Sequence, residues 1–75
     1  MKTYEQLAPY EQRVVDELDD LVNKCEKLES FFSTNVFDGL EEFDKFLLEQ
    51  QALAMDLYIS CLTTRIRKFT SAPTE

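Results

Sequence analysis

From Val14 onward the apolar residues of this chain fall at Val14, Leu18, Leu21, Cys25, Leu28 and Phe32, in alternating steps of four and three. That spacing keeps returning to one side of an α-helix, the pattern of a helix laid along another helix. Val15 and Val22 widen the stripe, while Asp16, Glu17, Asp19, Asp20, Lys24, Glu26, Lys27 and Glu29 cover the other faces. Pro9 supplies the start, because a first helical residue has no intrahelical use for its N–H. The spacing therefore predicts a helix over about 9–32. Upstream, Thr3 followed by Gln6 suits the cap of one short turn.

Ser33-Thr34-Asn35 interrupts the pattern and suits the cap of a short helical turn at 34–40, with Phe37 and Leu40 tucked under the hairpin end. A second helix is predicted over about 41–69. It opens with Glu41, Glu42 and Asp44 and closes with Arg65, Arg67 and Lys68, the order of charge that the helix dipole favours. Residues 70–75 read as a frayed tail. A short link makes the two helices antiparallel. The expected fold is all-α: one helical-hairpin domain over 1–75, built as an antiparallel two-helix hairpin.

The second helix is apolar on more than one side. Leu47, Leu48, Met55, Tyr58, Leu62, Ile66 and Phe69 read as one stripe; Phe43, Phe46, Leu53, Ala54, Leu57, Ile59 and Cys61 fill much of the rest. One neighbouring helix covers one face, so a helix of this kind needs burial on several sides. A chain of 75 residues buries little surface alone. The expected assembly is thus a homo-oligomeric helical bundle, with a monomeric hairpin of exposed apolar surface as the other reading.

Composition excludes several functions. Histidine is absent, which removes imidazole bases and His-containing triads and zinc sites. The single glycine, Gly39, rules out a glycine-rich phosphate loop. The adjacent pairs Asp19-Asp20 and Glu41-Glu42 diverge by ~100° on a helix and do not converge on a metal. No catalytic residue, cofactor or metal is expected, and the chain is not read as an enzyme. A net charge of −7 repels DNA and RNA, whose binding needs many phosphates neutralised. No apolar run of ~18 residues and no apolar leader occur, so neither a membrane span nor secretion is expected, and the setting is cytoplasmic.

The basic residues are unevenly placed. Arg65, Arg67 and Lys68 lie within four positions of a chain that is otherwise acidic. Two readings fit them: last-turn cations that answer the helix dipole and pair with acidic neighbours, or a site for one small anion. In the antiparallel register Arg13 and Tyr10 come to the same end, and Tyr4 can fold back toward Phe69. Arginine grips phosphate bidentately and an aromatic ring stacks on a base, which together suit a nucleotide. The candidate ligand-binding residues are therefore Tyr10, Arg13, Tyr58, Arg65, Arg67 and Phe69. Lys24 is most simply an ion-pair partner of Asp20. Cys25 and Cys61 lie ~15 Å apart along the axis, too far for a disulfide, and both read as small buried hydrophobes.

The run Pro9-Tyr10-Glu11-Gln12-Arg13-Val14-Val15-Asp16-Glu17, then Lys27-Leu28 and Phe31, resembles a family of small phage proteins named after a gene of crAss-like phages. Leu47-Leu48, Gln51, Met55, Tyr58, Leu62, Arg65-Ile66 and Phe69 extend the resemblance over 9–69. It implies a phage gene expressed in the cytoplasm of an infected bacterium. The design is similar to phage helical hairpins that oligomerise and sequester cyclic-nucleotide immune signals, the anti-CBASS and anti-Thoeris sponges. In those a Tyr-Arg pair opens the first helix; here Tyr10 is followed by Glu11. The expected function is binding and sequestration of a cyclic nucleotide or cyclic ADP-ribose-like signal. The alternative is a small acidic phage accessory protein that binds and inhibits a host protein.

Overall fold

Pro9 opens α1, Pro9–Phe31, in the computed structural model, which describes residues 2–71. Ala8 stands at the N-cap and has no side-chain oxygen to offer the helix. Glu11 supplies half of a capping box by reaching back to accept the Ala8 N–H at 2.9 Å. Before it lies a 3-10 turn, Tyr4–Gln6, where the Gln6 side chain accepts the Thr3 N–H at 2.9 Å. α1 ends one residue before the expected boundary.

Thr34 caps α2, Asn35–Asp38, by accepting the Phe37 N–H at 3.2 Å. Its hydroxyl also donates to the Phe31 carbonyl at 2.7 Å, so one side chain satisfies the end of α1 and the start of α2. Phe37 then turns under the hairpin end as expected. Its ring meets Phe31 and Phe32 edge-on, at centroid distances of 6.0 and 5.0 Å.

α3, Glu42–Thr70, returns antiparallel along α1 and makes a rod of 54 × 20 × 17 Å. Most of the described residues are helical, and none lies in a strand. The side of α3 covered by α1 carries Leu48, Ala52, Met55, Ile59, Leu62, Ile66 and Phe69, again in steps of four and three. This corrects the expected stripe: Ala52 and Ile59 belong to it, whereas Leu47 and Tyr58 are 48% and 44% exposed. The buried core is small, made of Leu7, Val14, Cys25 and Leu62.

The N-terminal segment ties off the open end of the hairpin, where the Lys2 N–H donates to the Thr70 carbonyl at 3.1 Å. Tyr4 does not reach toward Phe69. Its hydroxyl instead donates to Asp16 at 3.1 Å, on the outer side of α1, and its pKa is raised by lost hydration and then by that carboxylate. Thr70, expected in a frayed tail, is the last residue of α3 and is buried. Residues 72–75 lie outside the described residues.

Candidate anion-binding site

Tyr10, Arg13 and Glu17 recur at helical spacing on one side of α1. Tyr58 donates a hydrogen bond to Glu17 and so sets that side of α1 against the side of α3 bearing Tyr58 and Arg65. Tyr10, Arg13, Tyr58 and Arg65 therefore share one flank of the hairpin, from its middle toward its open end, and all four are exposed. Glu17, which was not among the expected site residues, accepts the hydrogen bond from Tyr58 and fixes that ring.

Arg67 and Phe69 lie elsewhere. Arg67 follows the heptad positions of Leu53 and Ser60 onto the outer face of α3. Phe69 is half-buried on the stripe that faces α1, beside Leu62 and Ile66. Four of the six candidates are thus brought to one flank, and two are not.

Arg67 and Lys68 stand in the last turn of α3, where the helix dipole favours cations. Among the described residues the ion pairs are Lys24–Asp20, at 3.0 Å, and Lys45–Glu42, at 3.5 Å. Neither involves Arg13, Arg65, Arg67 or Lys68. Some carbonyls at the end of α3 meet donors other than arginine. Thr70 Oγ1 donates to Ile66 O at 2.7 Å, Ser71 Oγ to Arg67 O at 2.6 Å, and Lys2 N–H to Thr70 O. Among the described residues the arginine side chains here bond neither carbonyls nor carboxylates, which leaves their guanidinium groups available to an external anion.

The two cysteines part company. Cys25 is buried, as expected, but it is more than a hydrophobe. Its thiol donates toward Glu29 Oε2 at 3.8 Å and Asp56 Oδ1 at 3.7 Å, linking α1 to α3. Burial first, then the two carboxylates, pushes its pKa above the ordinary 9.0, so the thiol stays protonated at neutral pH. The three ligand-type atoms lie within 4.8 Å of one another. The spacing of Cys25 and Glu29 on one face was visible in sequence; Asp56 joins them only through the hairpin register. Cys61, expected to be buried, is exposed because it lies on the face of α3 turned away from α1.

Among the described residues no helix is long and apolar enough to cross a membrane, and the hairpin encloses no cavity. A family model described as Sequestin matches residues 8–68, which takes in α1, α3 up to Lys68 and all the candidate residues except Phe69. No curated protein and no solved structure matches the chain.

Proposed function

The chain belongs to the Sequestin family, and from that premise we propose that it is a non-enzymatic sponge for a cyclic nucleotide or a cyclic ADP-ribose-like signal. The family name speaks of sequestering and leaves the target open. The observation that carries the choice of target is the set of cations at the open end of an otherwise acidic chain that have no ion-pair partner among the described residues. The summed negative charge turns away long polyanions, while Arg13 and Arg65 with Tyr10 and Tyr58 offer phosphate grip and ring stacking to one small ligand. On this reading the protein is phage-encoded, acts in the cytoplasm of the infected bacterium, and lowers the free signal by stoichiometric binding. A lone hairpin has little interior in which to enclose a nucleotide, so the working form is a homo-oligomer.

Calorimetry of the assembled protein against cyclic di- and trinucleotides and ADP-ribose cyclisation products tests the proposal. The expected result is saturable binding of at least one of them, weakened tenfold or more by Arg13→Ala or Arg65→Ala. No binding to any of them by a well-folded protein overturns it. The acidic alternative, a host-protein inhibitor, draws on the exposed Asp16, Asp19 and Asp20. Its signature is capture of a host protein that is lost on charge reversal at those positions and kept in Arg65→Ala.

A further inference from the structure

The side of α3 turned away from α1 carries a second seam. Phe43, Leu47, Gln50, Ala54, Leu57 and Cys61 recur in steps of four and three, the same alternation that marks the covered side. None of the six is covered: Phe43 is 67% exposed and Leu57 68%. Phe46 and Leu53, 51% and 62% exposed, flank the seam. A heptad seam is the imprint of a helical partner, and α1 is already spent on the other face.

Surface area points the same way. The hairpin exposes 5698 Å², about 900 Å² more than the ~4,800 Å² that size scaling gives for a folded chain of 8.8 kDa. A standard interface takes ~800 Å² from each partner. The surplus matches what one such contact would remove.

The distribution of charge selects both occupant and direction. α3 begins with Glu42 and Asp44, just after Glu41, and ends with Arg65, Arg67 and Lys68. Two copies laid parallel would stack like charges at both ends. Laid antiparallel, each acidic start meets a basic end, and like charges are kept apart. When the two α3 helices overlap along their full length, Ala54 faces the partner's Leu57, Gln50 faces the partner's Cys61 and Asp44 lies beside the partner's Arg65. The small alanine opens the space that the leucine fills, and the contact repeats itself about a two-fold axis.

We infer that the outer face of α3 is a docking surface for a second copy of this chain, bound antiparallel with the two-fold axis between Ala54 and Leu57. The interface stands apart from any ligand. One consequence rests on the sponge reading: the partner's Phe43 and Phe46 come beside Lys68 and Arg67, so each end of the dimer gains aromatic faces next to cations.

Light scattering and native-cysteine crosslinking test the interface without any nucleotide, so its failure is separable from failure of the sponge reading. The wild type is expected at twice the 8.8 kDa chain mass, and Leu53→Asp with Leu57→Asp at the chain mass with helicity retained. Under mild oxidation wild-type Cys61 is expected to stay unlinked, because the two copies lie ~16 Å apart along the axis. Gln50→Cys should give a covalent dimer, and Gln50→Cys in a Cys61→Ser background should not. A wild-type Cys61 disulfide overturns the antiparallel direction. A monomeric wild type, or an assembly whose mass the two aspartates do not lower, overturns the surface itself.

Discussion

The two apolar faces of α3 are written in the same alphabet and do different work. The covered face, from Leu48 to Phe69, packs on α1 and contains Leu62, 1% exposed. The open face, from Phe43 to Cys61, has no partner within the hairpin. Hydrophobicity alone does not hold this fold together; a leucine contributes in proportion to the surface its neighbours remove from water. Stability of the hairpin is therefore encoded on one side of α3, which leaves the other side for the association inferred above.

The sharpest way to break that comparison is truncation on each face. Leu62→Ala is expected to cost about 2–5 kcal/mol, enough to unfold much of so small a domain. Leu57→Ala, measured by denaturant titration of dilute protein, should change stability by less than about 0.5 kcal/mol, because the removed atoms already meet water. Equal losses at the two positions would defeat the distinction. A smaller effect is expected at Thr34, whose cap swings Phe37 beneath the covered face: Thr34→Ala should cost about 1 kcal/mol, read as a lowered midpoint with unchanged helix content.

The thiols sharpen the comparison at lower amplitude. Cys25 lies under the covered face with its pKa raised by burial and by Glu29 and Asp56. Its neutral form is the one the fold prefers, so its contribution is complete below pH about 9.0, the ordinary thiol value. That contribution falls as rising pH ionises the thiol first in the unfolded chain, and it is gone once the pH passes the folded pKa. Cys25→Ala should therefore flatten the alkaline decline of the melting temperature. An undiminished decline in that variant would remove Cys25 as its source.

Helix boundaries were legible in the sequence because Pro9, Thr34 and the acidic start of α3 are local signals that act on their own backbone. The covered stripe of α1 was legible too, since charge surrounds it on the remaining faces. The covered stripe of α3 was less so. Apolar residues surround most of that helix, and periodicity cannot say which of two seams meets α1; Leu47 and Tyr58 were placed inside and Ala52 left out for that reason. The same ambiguity put Cys61 in the core. At the candidate site, sequence register brought Tyr10, Arg13, Tyr58 and Arg65 to one end, because axial level follows from residue count. It did not separate them from Arg67 and Phe69, since those differ in rotation about the helix rather than in height. The bond from Tyr58 to Glu17 supplies that angle.

The tie between Lys2 and Thr70 has a kinetic consequence. Contacts near Thr34 join residues close in the chain and close cheaply, whereas those at the open end must wait for nearly the whole chain to come together. The hairpin accordingly zips from the turn toward its termini and opens in the reverse order. The cationic end is the last part to form and the first to breathe, so its side chains are held in the least persistent stretch of the rod.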